Sequence, residues 1–399
     1  MRASLFKSNR SRIIDTINGG VVVITAYSAM QSSNDASFMF EQEANFWWLT
    51  GINEPDWWLI IDGNRSKSWL VFPEISDIHQ TFNGGLSAED AKDISGVDSV
   101  ISNDEATRML RDLAKRHSVV GSLDEDSSAK YYDFILNPAP KKMWRKLGTV
   151  FNEVQDIRPE LSKLRAIKQP DEIAAIKKAI KLTAQGFEIV KNNLSNFKYE
   201  YEIEAEFTHL FRKSGAKGHA YDPIVASSIN ACTLHYIDNS AVIKKHSLVL
   251  LDIGARLNGY AADISRTYAT GVSTKRQIEV HAAVESAHRQ IIKLLRPGLS
   301  VAEYHNSVDE IMKSALKRLD LLNSPKDYRR YFPHAISHGL GVDVHDSLGQ
   351  PMVFLPGMIL TVEPGIYIPE ESIGVRIEDN ILITEMGNTN LSAALATSL

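Results

Sequence analysis

Two rhythms of apolar and polar residues divide the chain. Up to about Arg158, short apolar runs alternate with polar, turn-rich segments. Val21–Thr25 is β-branched, residues 46–49 and 57–61 are apolar runs separated by Gly51-Ile52-Asn53-Glu54-Pro55, and residues 68–72 stop at Pro73. This order predicts alternating strands and helices. Beyond it the period lengthens. Pro170-Asp171-Glu172 opens a helix, with acids at the positive end of its dipole, and Ile173, Ile176, Ile180, Phe187 and Val190 follow at helical spacing. Ile203, Phe207, Leu210 and Phe211 mark a second helix ended by Gly215. Residues 278–295 form a third, stopped by Pro297-Gly298, and Ser300-Val301-Ala302-Glu303 reads as a capping box opening a fourth. Strands are expected at 247–253, 259–268, 358–362 and 375–383. The order is α+β, with a boundary between residues 154 and 163 that predicts domains at 1–158 and 159–399.

The length of 399 residues fits two or three domains, and 44% hydrophobic residues supply a sizeable core. The net charge of −5 argues against a nucleic-acid partner. Cys232 is the only cysteine, so intramolecular disulfides and cysteine zinc sites are impossible and a reducing, cytoplasmic compartment fits. The first fourteen residues lack the apolar centre of a signal peptide, and no run approaches the roughly 18 apolar residues of a membrane span. Five of the six tryptophans (Trp47, Trp48, Trp57, Trp58, Trp69) lie in the first domain, where they pack a core or, on a sharper reading, line an interface or the rim of a site.

Chemistry concentrates in three places. The apolar run Leu248-Val249-Leu250-Leu251 ends in Asp252, and a second acid, Asp263, follows the hairpin signal Asn258-Gly259. A two-residue turn there pairs Leu257 with Tyr260 and Gly254 with Asp263. Asp252 and Asp263 then share a face as diagonal neighbours, Cα atoms about 7–8 Å apart. They are either two surface acids on an exposed hairpin or a pair that shares cations, and the flanking hydrophobicity favours the second. Next, His334, His338 and His345 fall within a glycine-containing segment, three of the chain's twelve histidines. Last, Glu363 ends another apolar strand, and Arg376 and Glu378, two apart, point to one face of theirs. Four carboxylates and an imidazole form a hard, oxygen-rich set that suits Mn²⁺, with Co²⁺, Fe²⁺ or Zn²⁺ as alternatives. Four negative charges nearly balance two dications, and two metals can activate a water for hydrolysis.

These residues, over 161–394, resemble the pita-bread metallopeptidases, whose metal ligands fall at Asp252, Asp263, His338, Glu363 and Glu378. The aminopeptidase P branch is most similar. Asn230-Ala231-Cys232-Thr233-Leu234-His235-Tyr236, the segment Ser337-His338-Gly339-Leu340-Gly341-Val342-Asp343-Val344-His345-Asp346, and Phe40-Glu41-Gln42-Glu43-Ala44-Asn45-Phe46-Trp47-Trp48-Leu49-Thr50-Gly51 of the first domain carry the likeness. It implies a pita-bread domain behind a smaller α/β domain, and release of an N-terminal residue from proline-containing peptides at a dinuclear site. It further implies Glu363 as proton acceptor, His235 and His345 as substrate-binding groups, and His334 in the same wall. Arg376 would orient Glu378 and a histidine on the proline side. A homodimer or homotetramer belongs to the same expectation. Two features depart from the pattern: Gly339 stands where a bulky aromatic is common, and the segment 367–374 is short, as in some prolidases. An Xaa-Pro dipeptidase is therefore the alternative. An inactive peptide-binding module, which would have lost ligands, and a creatinase-type amidinohydrolase, which works without these metals, fit less well.

Overall fold

An apolar run with no polar face needs cover on both sides. Val21–Thr25 and Trp58–Asp62 are buried at every position and pair antiparallel, Val23 opposite Ile60. They are the middle of a six-stranded sheet ordered Ser99–Ile101, Lys67–Val71, Trp58–Asp62, Val21–Thr25, Val119–Ser122, Glu153–Asp156. Helices Asn103–Ala114 and Ala139–Gly148 supply Leu110, Leu113, Met143 and Leu147 to a core shared with Val21, Val23, Trp58 and Ile60. The computed structural model describes residues 1–124 and 133–399. The sheet belongs to the first of two units, Met1–Leu164 and Arg165–Leu399.

The apolar run at 46–49 lies in a helix, Ala44–Thr50. The Glu43 carboxylate caps it by accepting from the Phe46 amide at 2.6 Å, and Gly51, at φ 73°, ends it in the left-handed region. All seven residues are buried, so period alone had nothing to distinguish. Trp47, Trp48, Trp57 and Trp58 are all buried, as core packing requires.

The second unit runs through one order twice: a helix pair, then antiparallel strands. Helices Pro170–Asn193 and Glu200–Lys213 bury Ile176, Ile180, Phe187, Phe207 and Phe211. They precede a sheet of Ile224–Ser227, Leu248–Ile253 and Ile264–Ala269. Helices Lys275–Leu294 and Val301–Arg318 precede Ile359–Val362, Asp379–Ile383 and Asn388–Asn390. A β-bridge from Ser265 to Glu378 joins the two sheets. The Pro170 helix carries a capping box, Glu172 accepting from the Gln169 amide at 2.8 Å. Among the described residues no helix is long and apolar enough to cross a membrane.

Three expectations change in detail. The Asn258-Gly259 turn forms with both residues at positive φ, and Leu257 faces Tyr260 while Asp252 faces Ser265. The expected strand 259–268, however, is two strands, Tyr260–Ala261 and Ile264–Ala269. Likewise 375–383 breaks into Ile373–Arg376 and Asp379–Ile383. The gaps contain Asp263 and Glu378, because the backbone passes from one sheet to the next there. The Asp263 amide donates to Asn380 Oδ1 at 3.3 Å and the Glu378 amide to Ser265 O at 3.1 Å. Finally, Ser300 is the N-cap of Val301–Arg318 but makes no side-chain cap bond, its backbone being taken up in a bridge to Val353.

Candidate metal centre

Strand ends and strand breaks bring the acids together. Asp252 projects from Leu248–Ile253, Asp263 and Glu378 from the two breaks, and Glu363 from the end of Ile359–Val362. His338 faces them. Its Nε2 is 3.4 Å from Asp263 Oδ2, 3.6 Å from Glu363 Oε1 and 3.9 Å from Glu378 Oε1. Its Nδ1 lies 2.9 Å from Gly339 O, so Nδ1–H donates to the carbonyl and Nε2 turns to the acids, the orientation a ligand histidine needs. Asp252, Asp263 and Glu378 form one close set, and His338, Glu363 and Glu378 another, each with ligand atoms within 4.8 Å of one another. His345 joins Asp263 and His338 in a third.

The donors suit a dication. Buried Glu378 has an oxygen, Oε1, without any hydrogen-bond partner. Tyr221 Oη lies 2.6 Å from both Asp252 Oδ1 and Asp263 Oδ1, yet one hydroxyl has a single proton to offer. Burial, then Asp263 and Glu363, pushes Glu378 well above the carboxylate range. Burial also raises Glu363 to about 7 and raises Asp263. Burial works against a charge on His338, but Asp263 and Glu363 outweigh it and lift the imidazole to about 9. Clustered acids thus hold protons that a divalent cation would displace.

A hydrogen-bonded frame surrounds them. Arg376 Nη2 donates to Asp252 Oδ2 at 2.6 Å, Nε to Ser265 Oγ at 2.9 Å and Nη1 to Tyr367 Oη at 2.8 Å. Its direct carboxylate is therefore Asp252. It reaches Glu378 only through Ser265 Oγ, which donates to Glu378 Oε2 at 2.8 Å. His334 has both ring nitrogens engaged: Nδ1 with Ala335 O at 2.7 Å and Nε2 with Tyr367 Oη at 2.8 Å. Burial and then Arg376 pull it down to about 4, so it stays neutral in this wall. The His345 ring packs on His338 with 4.2 Å between centroids, and burial and His338 lower it to about 4. His235 is exposed and near enough for its charge to bear on His345.

Gly339 has a structural reason: a Cβ there would meet the Asp346 carbonyl oxygen at 2.3 Å. The short segment 367–374 is a tight hairpin, Gly365–Ile368 against Ile373–Arg376, with its tip held by Arg276 to Glu371 at 2.7 and 2.9 Å. Tyr221, Ser265 and Tyr367 escaped sequence reasoning. Tyr221 lies in a loop, and a buried hydroxyl on a strand looks like any core tyrosine.

Residues 174–385 match the model of metallopeptidase family M24, and residues 6–120 match the N-terminal domain of aminopeptidase P. The chain belongs to metallopeptidase family M24. It is 33% identical to the Xaa-Pro aminopeptidase of Escherichia coli over 98% of this chain and 94% of that one. Identity to human Xaa-Pro aminopeptidase 3 is 31%, over 93% of this chain and 78% of that one. Aminopeptidase P from E. coli, solved with the inhibitor Pro-Leu, superimposes with a TM-score of 0.84 at 30% identity, covering 100% of this chain and 96% of that chain. M24 membership carries with it the use of divalent metal and an α+β pita-bread domain, and the second match adds a smaller domain N-terminal to it in the chain.

Proposed function

We propose that this chain is a metal-dependent Xaa-Pro aminopeptidase, hydrolysing the bond between an N-terminal residue and a following proline. The observation that carries this reading is the convergence of Asp252, Asp263, Glu363 and Glu378 on the Nε2 side of His338, in a chain similar over nearly its whole length to Xaa-Pro aminopeptidases. Those five residues would hold two divalent ions. Mn²⁺ fits the hard donor set, with Co²⁺, Fe²⁺ or Zn²⁺ as alternatives. When bound, the ions supply an activated water and Lewis-acid stabilisation of the tetrahedral oxyanion.

The protein's own groups do the rest. Glu363, facing His338, accepts the proton of the attacking water and passes it to the departing proline nitrogen. His345, kept neutral by burial and His338, and the exposed His235 would donate to the substrate carbonyl as it gains charge. Arg376 holds Asp252 in place and, through Ser265 and Tyr367, sets Glu378 and His334. Residues 159–399 carry this chemistry, and 1–158 form the N-terminal domain. Manganese use, a cytoplasmic location and a homodimeric or homotetrameric assembly belong to the same proposal.

Cleavage of Xaa-Pro-Yaa tripeptides and Xaa-Pro dipeptides, with Mn²⁺ and with a chelator, tests it. Metal-dependent release of the first residue from tripeptides is the expected result. Turnover of dipeptides alone would make the chain a prolidase, and metal binding without turnover of either would leave a peptide-binding module. His345→Ala should retain metal and lose about 10²–10³-fold in turnover, the cost of one oxyanion donor. An unchanged rate would remove His345 from the site.

A further inference from the structure

Glu200 is fully buried at the start of helix Glu200–Lys213, and among the described residues it pairs with no cation. All five partners of its carboxylate are neutral donors. Oε1 accepts from the Ser227 amide at 2.7 Å, Ser227 Oγ at 2.7 Å and Asn230 Nδ2 at 3.2 Å. Oε2 accepts from Tyr236 Oη at 2.9 Å and the Ala241 amide at 2.9 Å. Burying a carboxylate is costly unless its lone pairs are filled, and here they are filled from one stretch of chain. Ser227 and Asn230 enter that stretch, Tyr236 sits at its centre, and Ala241 leaves it. The exposed imidazole of His235 is next to Tyr236.

The loop has little regular structure of its own. A short 3-10 turn, Ser228–Cys232, is followed by irregular chain. Ser228 and Asn239 both lie in the left-handed region, at φ 54° and 45°. Non-glycine residues stay there only where their surroundings over-determine them. Asn239 is clamped in turn, donating to Glu204 Oε2 at 2.8 Å and accepting from the Val225 amide at 2.9 Å. The near half of the loop lies against the strand carrying Arg376, where a Cβ on Gly374 would come within 2.3 Å of Ala231 O.

We propose that Glu200 is a positioning residue for catalysis: its carboxylate ties both ends of the 227–241 loop to one helix and thereby sets His235 over the metal centre. The proposal rests on the substrate-binding reading of His235. Glu200 itself touches neither substrate nor ligand. It shares no hydrogen bond with the five acid and histidine ligands, so on this proposal the main effect of its loss reaches catalysis through His235, and a double-mutant cycle separates that route from one through the strand of Arg376.

The test is a double-mutant cycle on kcat/KM for an Xaa-Pro-Yaa tripeptide, with Mn²⁺ content and thermal unfolding measured on each variant. Glu200→Gln keeps the shape but turns a donor toward the Ala241 amide. It should cut kcat/KM about 10–100-fold, the scale of a misplaced group, with metal content unchanged. In the His235→Ala background the same substitution should cost little more, since the group it positions is gone. Losses that multiply in the double variant, or a Glu200→Gln loss that follows metal content, would overturn the proposal. If Glu200→Gln does not fold, Tyr236→Phe, which deletes one bond to Oε2, takes its place in the cycle with the same criteria. Full activity in His235→Ala would instead overturn the reading of His235 and the proposal with it.

Discussion

In the N-terminal unit the central strands bury valine, isoleucine, leucine and tryptophan, and the deeply buried Arg10 spends its donors on the neutral carbonyls of Leu49, Ser95 and Gly96. In the C-terminal unit the strands around the site and the breaks between them bury Asp263, Arg266, Arg376, Glu378 and Asp379. Arg266 shows how far this goes. It is wholly buried, pairs with Asp379 at 2.7 Å, and donates to the carbonyls of Ser265 and Glu378 at 2.8 Å each. The first unit gains its stability from apolar area removed from water. The second contains a knot of like charges that costs free energy until cations arrive. Metal should therefore matter to the stability of one unit and not the other.

The strongest way to break that comparison is Asp263→Asn. It should abolish hydrolysis and lower metal content. Without metal the variant should be as stable as the parent or more so, because one of the crowded acids is gone. The parent should gain about 2.7 kcal/mol in its C-terminal transition at metal concentrations 100-fold above Kd, a gain the variant lacks. Calorimetry and metal analysis read both, and retained activity with full metal would sink the ligand assignment.

A middle-sized effect comes from pH. In the metal-free protein His338 is raised from 6.5 to about 9. Its contribution is fully present below pH 6.5 and is lost as pH rises through 9, about 3 kcal/mol. Glu363, raised from 4.5 to about 7, has the same sign in a lower window. His334 and His345, lowered to about 4, run the other way, but only below pH 6.5. The metal-free C-terminal transition should therefore fall in temperature between pH 6.5 and 9, whereas metal affinity should rise over the same range as Nε2 gives up its proton. A transition flat across that range would refute the charge-knot account.

The smallest effect sharpens the contrast between local pattern and tertiary context. Ser102 forms a complete capping box with Glu105, so Ser102→Ala should cost the N-terminal unit about 1 kcal/mol. Ser300 has the same motif in sequence but no side-chain cap, so Ser300→Ala should shift the C-terminal transition by less than about 0.5 kcal/mol. Equal losses in denaturant titrations would show that the Ser300 box forms in solution.

Much of this molecule was legible from residues alone. The long amphipathic helices, the Asn258-Gly259 turn and its register, and the acids ending apolar strands each rest on short-range periodicity and turn chemistry. The four acid candidates were legible because a carboxylate at or near the end of an apolar run is an exception that needs a cause, whereas only the family resemblance singled out His338 from His334 and His345. Other features depend on partners far away in sequence. Only packing broke the strands at Asp263 and Glu378, since a chain crossing between sheets takes its hydrogen bonds from Asn380 and Ser265, more than a hundred residues away. The same holds for the Arg376–Asp252 pair, the Tyr221 bridge between two aspartates and the Glu200 clamp on the His235 loop. Sequence determined which residue types were available to bind metal, because strand and helix periods are local. Tertiary structure decided which of them meet and how each is held, because a buried charge is stabilised by whatever the fold places within about 3 Å of it.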